Sequence, residues 1–160
     1  MRHLIAVALI GFAASAAAAP DYRTISMQID VDRPAREVWA KVGQYCDISK
    51  WLDVDCKIVS GDGGIGTVRS LANGRVLEIM IGETDLSYGY TQPPKEGQFY
   101  NLYHGFVEAK PVTGNSSKIV YTVIYDVSDK PDEAARQLDL QQRRTRFEAA
   151  LKKMKQIAEQ

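Results

Sequence analysis

The chain has 160 residues, 45% of them hydrophobic, and its 20 basic side chains balance its 20 acidic ones. This length suits one domain with a sizeable core, and the balanced charge gives no support for nucleic acid or an anionic membrane surface as a partner. We therefore expect a single globular domain that binds something other than a polyanion.

The first 18 residues have the pattern of an export signal. Arg2 precedes an apolar run of eleven residues, Leu4 to Ala14, and small residues follow it in the segment SAAAA. This order is typical of a cleaved signal peptide, and the run is shorter than the ~20 apolar residues of a membrane-spanning helix. We expect cleavage after Ala18, a mature domain over residues 19–160, a periplasmic or secreted location and no stable membrane anchor.

The chain contains two cysteines, Cys46 and Cys56. In an oxidising compartment they can form a disulfide that closes a short loop, and the chain-entropy model gives such a loop about 2–3 kcal/mol. Two buried free thiols are the alternative. A metal site would need more ligands, and His104 is the one histidine of the expected mature chain, so we expect no metal.

Hydrophobic periodicity predicts one strand, two short helices and then six strands. The first strand is TISMQIDVD, and the helices are RPAREVWAKVGQY and DISKWL. The other strands are DCKIVSG, GTVRSL, RVLEIMI, LSYGYTQ, QFYNLYHGFVEAKPV and SKIVYTVIYDV. Asn73-Gly74 predicts a two-residue hairpin turn, and the short connections favour antiparallel neighbours.

A long helix is expected at the end of the chain. No helix breaker follows Pro131 before about Glu159, which predicts roughly 28 helical residues and a length of about 40 Å. Phe147, Leu151 and Met154 share its apolar face. A sheet with one apolar face needs a cover, so we predict an α+β fold in which about seven antiparallel strands curve around this helix and leave a cavity near one end.

The segment GDGGIG, residues 61–66, matches the dinucleotide pattern G-x-G-x-x-G. That pattern needs a helix directly after it to hold the pyrophosphate, whereas the strand-like segment TVRSL follows here. We expect a hairpin turn at this position and no bound cofactor.

Two ionisable residues on predicted strands are candidates for acid/base chemistry. Glu78 lies within VLEIMI, where it either faces water, pairs with a base such as Arg69, or lines a polar pocket. His104 has a near-neutral pKa that would suit a general acid or base, and a structural role is its alternative. Period-two alternation puts four residues on one face of QFYNLYHGF: Tyr100, Leu102, His104 and Phe106. Both faces mix aromatic and polar groups, so alternation leaves open whether this face lines a cavity.

Aromatic and basic side chains add further candidates for ligand contact. The aromatic residues exceed what a plain core of this size needs and suit an aromatic ligand, with cross-strand pairing as the alternative: Trp51, Tyr88, Tyr90, Tyr100, Tyr103 and Phe106. On the long helix, either Arg143 or Arg144 falls at helical spacing from Phe147. This spacing favours one of these two guanidinium groups at the cavity rim, and a solvated charged face is the alternative.

The order IDVDRPAREVWAKVGQYCDISKWL, GGIGTVRSL, a hairpin into RVLEIM and a terminal helix resembles the SRPBCC superfamily. That superfamily comprises polyketide cyclase/dehydrase, START and birch-pollen-allergen-like helix-grip proteins, and the resemblance implies a helix-grip fold with a cavity between sheet and last helix. Its abscisic-acid receptors imply that four residues face the ligand: Glu78, Tyr90, Leu102 and His104. The lysine that holds the ligand carboxylate there falls near Val54, where Asp53 and Asp55 stand, which argues against an acidic ligand held in the same way.

These observations predict an exported protein that binds a small hydrophobic, aromatic or polycyclic molecule. Glu78 and His104 favour its conversion by cofactor-independent acid/base chemistry of cyclase, lyase or dehydratase type. A non-catalytic periplasmic carrier of a lipid or aromatic ligand is the alternative. The candidate ligand contacts are Trp51, Asp53, Arg69, Tyr88, Tyr90, Tyr100, Leu102, Phe106, Arg143 and Phe147.

Overall fold

The computed structural model describes residues 19–94 and 102–160. The elements follow in the predicted order: β1 (Tyr22–Val31), α1 (Ala35–Val42), α2 (Ile48–Trp51), β2 (Cys56–Ser60), β3 (Val68–Leu71), β4 (Val76–Thr84), β5 (Ser87–Thr91), β6 (Tyr103–Pro111), β7 (Ser117–Asp126) and α3 (Glu133–Glu159). This confirms the helix-grip prediction. The predicted signal sequence and Tyr100 lie outside the described residues.

The seven strands form one antiparallel sheet in the order β1-β7-β6-β5-β4-β3-β2. From β2 to β7 each strand pairs with the next one along the chain. β1 pairs with β7 in register from Tyr22 opposite Asp126 to Val31 opposite Ser117. The first and last strands along the chain are therefore neighbours in the sheet.

Two turns show how local sequence shapes the sheet. Residues 61–66 connect β2 to β3, so the glycine-rich segment precedes a strand and not a helix. The turn between β3 and β4 differs from the predicted two-residue hairpin, because Leu71 pairs with Val76 and leaves four residues between them. Ala72, Asn73 and Gly74 all adopt positive φ there, at 53°, 57° and 84°.

Helix α3 covers the concave face of the sheet with its C-terminal half. Asp132 caps its start, since the Asp132 side chain accepts a hydrogen bond from the Ala135 amide at 2.8 Å. The buried residues of the helix all lie from Phe147 onward: Phe147, Ala150, Leu151, Met154 and Ala158. The N-terminal half places no fully buried side chain over the sheet, and space remains beneath it.

A disulfide joins Cys46, between α1 and α2, to Cys56 at the start of β2. The prediction of this bond is confirmed. It ties the short helix α2 to the strand that follows it. In residues 19–94 and 102–160, no helix combines the length and the apolar character needed to cross a membrane.

Candidate functional site

A cavity of about 260 Å³ lies between the concave face of the sheet and the N-terminal half of α3. Its wall combines apolar and aromatic side chains with a few polar ones: Ile48, Leu52, Val54, Leu71, Ala72, Val76, Glu78, Tyr90, Gln92, Tyr103, Tyr121, Arg143, Arg146 and Phe147. Arg146 is exposed while Glu78 and Tyr90 are buried. The cavity therefore has a mouth at α3 and an inner wall on the sheet.

Glu78 in the inner wall forms a buried ion pair with Arg69. The two residues are directly opposed on β4 and β3, and only 3% of Glu78 and 0% of Arg69 are exposed. Nε and Nη2 of Arg69 donate to Oε2 of Glu78 at 2.8 and 2.6 Å. The sequence allowed Glu78 to face water, to pair with a base such as Arg69, or to line a polar pocket. In the structure Glu78 pairs with Arg69 and also lines the cavity.

Arg69 itself lies behind the wall, among three tyrosine rings. Its Cζ is 4.1 Å from the ring centroid of Tyr45, 5.5 Å from that of Tyr88 and 5.0 Å from that of Tyr90. Its Nη1 also donates to the backbone carbonyl of Tyr45. Burial by itself would lower the pKa of Arg69, but Tyr88 and Glu78 raise that pKa above its usual value. Arg69 is therefore a fixed cation that orients Glu78.

The second oxygen of Glu78 is available to a ligand. Oε1 accepts one hydrogen bond, from Nε2 of Gln92 at 3.1 Å. A carboxylate can accept about four hydrogen bonds, and Arg69 and Gln92 supply three. One acceptor position remains for a hydroxyl or amine in the cavity.

Tyr90 and Tyr121 place a pair of hydroxyl groups in the same wall. Their oxygens are 2.6 Å apart, and both side chains are buried. Burial raises the pKa of each hydroxyl well above its usual value, so both keep their protons at neutral pH. One hydroxyl donates to the other, which leaves a single proton that can be donated to a ligand oxygen.

Two arginines of α3 line the mouth. Arg143 is held in place, because its Nε donates to Asp139 at 2.7 Å and its Cζ lies 4.4 Å from the Tyr125 ring centroid. The Tyr125 hydroxyl donates to the same Asp139 oxygen at 2.8 Å. Burial by itself would raise the pKa of Asp139, yet the hydrogen bonds from Arg143 and Tyr125 hold that pKa below its usual value. Arg144, the other candidate for the rim, does not line the cavity.

A family model described as polyketide cyclase/dehydrase and lipid transport matches residues 22–159. The chain belongs to this family. The match agrees with the resemblance to the SRPBCC superfamily drawn from the sequence. No curated protein is significantly similar to the chain in sequence.

Three solved structures with the same fold align with most of this chain. Ara h 8.0201 is 22% identical with a TM-score of 0.57, covering 84% of this chain and 98% of its own. The ZhuI aromatase/cyclase from Streptomyces sp. R1128 is 18% identical with a TM-score of 0.66, covering 87% and 94%. XoxI from Bacillus cereus is 18% identical with a TM-score of 0.64, covering 83% and 93%. At these identities the likeness concerns the fold.

In this family member, the cavity-facing side of β6 differs from the prediction. The prediction that His104 and Phe106 face the cavity is wrong by one residue, because Tyr103 lines the cavity and Phe106, three positions later, is 42% exposed on the other face. Gly105 points inward, where the Tyr90 ring occupies the space that a side chain would need. Leu102 precedes the strand and is half-buried without lining the cavity.

The outer face of the sheet shows why this register is stable. A Cβ added at Gly89 would lie 2.8 Å from Cδ1 of Phe106, so Phe106 covers Gly89 just as Tyr90 covers Gly105. Gly89 and Phe106 are cross-strand partners, as are Tyr90 and Gly105. Each aromatic ring thus fills the space left by the glycine opposite it.

The remaining candidates divide between the wall and its surroundings. Tyr90, Arg143 and Phe147 line the cavity. Trp51 is a core residue whose Nε1 donates to the carbonyl of Val42 at 3.3 Å, while Arg69 and Tyr88 lie behind the wall. Asp53 is exposed with a φ of 58°, and Val54 takes the wall position beside it. The prediction of a cavity contact is therefore wrong for four residues. Trp51, Arg69 and Tyr88 are buried behind other side chains, and Asp53 is exposed to solvent.

Sequence reasoning missed several residues of the wall. Tyr121 alternates with Ile119 and Val123 on a regular apolar strand, and this pattern is typical of core. Gln92 follows a strand end and has no distinguishing pattern. Arg146 lies one helical turn after Arg143, so helical spacing would have identified it once Arg143 was placed.

Proposed function

We propose that this protein binds a small molecule with an apolar, aromatic body and a hydrogen-bonding group in the cavity. The observation that carries the proposal is the Glu78 carboxylate, held by buried Arg69 in a wall of mixed apolar, aromatic and polar side chains, with one acceptor position open. Burying an ion pair is costly unless its geometry is excellent. A purely structural core would not need that carboxylate to face a cavity.

The size of the cavity limits the ligand. At about 260 Å³ it is larger than the ~150 Å³ cavity that holds benzene, and it falls below the roughly 300–1,000 Å³ of most ligand pockets. A molecule with one or two rings fits, and Tyr90, Tyr103 and Phe147 offer ring surfaces for it. A larger polycyclic ligand would require the walls to move.

Export is part of the proposal. The N-terminal sequence has the order of a signal peptide, and the bond between Cys46 and Cys56 suits an oxidising compartment. The ligand would then be met in the periplasm or outside the cell.

Binding can be tested with 2-naphthol, which combines two rings with one hydroxyl donor. Val76 lines the cavity, whereas its neighbour Leu77 is 44% exposed on the other face of β4. We expect Val76→Trp to fill the cavity and abolish 2-naphthol binding by calorimetry, while Leu77→Trp binds like the wild type. Equal binding by both folded variants would contradict the proposed site.

A second candidate function is cofactor-independent acid/base catalysis of cyclase, lyase or dehydratase type. It is favoured by the open acceptor at Glu78 and the spare proton of the Tyr90–Tyr121 pair, which face one space. Glu78 would accept a proton from the substrate, and the hydroxyl pair would donate to the oxygen on which charge develops.

Product analysis separates this candidate from a carrier. Hydroxylated aromatic ketones would be incubated with the protein and examined by mass spectrometry. For an enzyme, the double variant Tyr90→Phe/Tyr121→Phe, which removes both hydroxyls of the pair, should bind as before while conversion falls about 10²–10³-fold, the usual effect of losing such a donor. A carrier would return every bound compound unchanged.

A further inference from the structure

We propose that the ligand is an aromatic carboxylic acid whose carboxylate binds at the mouth of the cavity, between Arg146 and Arg143. This inference rests on the proposed function, since it concerns the same cavity. It names the substrate class that the charges around the cavity would select.

The charges of the cavity wall do not balance. Among the residues that the structure describes, the wall contains one acidic residue, Glu78, and two basic ones, Arg143 and Arg146. Glu78 is neutralised by Arg69 at 2.6 Å, and Arg143 by Asp139 at 2.7 Å. Within residues 19–94 and 102–160, Arg146 forms no ion pair, so these residues leave one positive charge at the mouth without a counter-charge. A carboxylate carries the single negative charge that would balance it.

The two guanidinium groups are placed to share one anion. Arg143 and Arg146 are three residues apart on α3, which makes them neighbours on the helix surface. Arg143 is held by Asp139 and stacked 4.4 Å from Tyr125, and its Cζ also lies 5.6 Å from the ring centroid of Tyr103. A planar carboxylate suits such a group, since guanidinium N–H donors match its oxygens.

The two ends of the cavity also fix the orientation of such a ligand. Glu78 at the inner wall would repel a carboxylate and would accept a hydrogen bond from a hydroxyl. The apolar body would therefore point inward and the acid outward, to the arginines. Asp53 does not line the wall, and Arg143 pairs with Asp139 and not with Asp53.

The test compares two probes of equal shape, 2-naphthoate and its neutral amide 2-naphthamide. By calorimetry at low salt, wild-type protein should bind naphthoate about three- to tenfold more tightly, the size expected of a partly exposed charge-assisted contact. Arg146→Gln should remove most of this preference. The control Arg144→Gln, which alters a neighbouring arginine that pairs with Glu148 at 3.6 Å, should retain it.

The outcomes separate this inference from the proposed function. Equal affinity of the wild type for the two probes, or a preference that survives Arg146→Gln, would overturn the carboxylate site while the cavity still bound both compounds. Binding of neither probe, or binding that persists in Val76→Trp, would overturn the proposed function itself.

Discussion

Two N–H groups of Arg69 converge on a single oxygen of Glu78, Oε2, at 2.8 and 2.6 Å. This geometry stops the carboxylate from rotating and directs Oε1 toward Gln92 and the cavity. Glu78 therefore neutralises the buried Arg69 cation and also leaves an acceptor position at the cavity. A substitution at Glu78 changes both properties at once.

Glu78→Gln should destabilise the protein strongly, because it leaves the buried Arg69 cation without a counter-charge. Removing one partner of a buried pair typically costs about 3–5 kcal/mol in the free energy of unfolding, which urea denaturation would measure. The double variant Arg69→Met/Glu78→Leu should recover most of that loss, since it removes both charges. A double variant as unstable as the single one would show that packing, and not charge, dominates at this position.

Gly105→Ala should also destabilise the fold, because the added methyl group meets the Tyr90 ring. Overpacking of this kind costs about 1–3 kcal/mol, and displacement of Tyr90 should weaken 2-naphthol binding in parallel. Gly82→Ala is the matched control on β4, where a Cβ meets nothing within 4 Å. If the two variants had equal stability in urea, the proposed packing of Tyr90 over Gly105 would be refuted.

Removal of the disulfide should reduce stability while preserving the fold. The bond closes a loop between Cys46 and Cys56, and replacing both cysteines with serine should lower the free energy of unfolding by about 2–3 kcal/mol. Circular dichroism of the double variant should match the wild type, and a reducing agent should affect the wild type only. Unchanged stability of wild-type protein shown by mass spectrometry to be fully reduced would contradict the expectation.

The buried tyrosines should resist ionisation at high pH. Burial raises the pKa of Tyr103 to about 12 and raises those of Tyr90 and Tyr121 well above the usual value, whereas an unfolded tyrosine titrates near pH ~10. Because the folded state holds these protons more tightly, the stability they contribute is complete below about pH 10 and is lost as pH rises through the folded values.

Absorbance at 295 nm measures this effect. At about pH 11 the native protein should show only part of the phenolate signal that its 8 tyrosines give in concentrated urea. The missing part should appear together with alkaline unfolding seen by circular dichroism. Full ionisation of the tyrosines at that pH in a still-folded protein would show that their hydroxyls are in contact with water, which would contradict their burial.

Much of the fold follows from local sequence. The order of the strands along the chain, the two short helices and the long final helix could be predicted because periodicity, turn residues and helix breakers act over a few residues. The pairing of Cys46 with Cys56 followed from the expected compartment and the short loop. These features depend on neighbours along the chain, so a single sequence contains the information for them.

The cavity depended on contacts between distant segments. Both faces of β6 contain aromatic residues, so alternation could not tell which face was internal; the Tyr90 ring over Gly105 and the Phe106 ring over Gly89 decide it across two strands. The partner of Glu78 likewise depends on the register of β3 against β4, which places Arg69 directly opposite. The final helix adds Arg146 to the mouth only because its N-terminal half does not fill the space over the sheet. Strand pairing and side-chain packing thus decide which face of β6 lines the cavity. They also decide which charged residues lie around it.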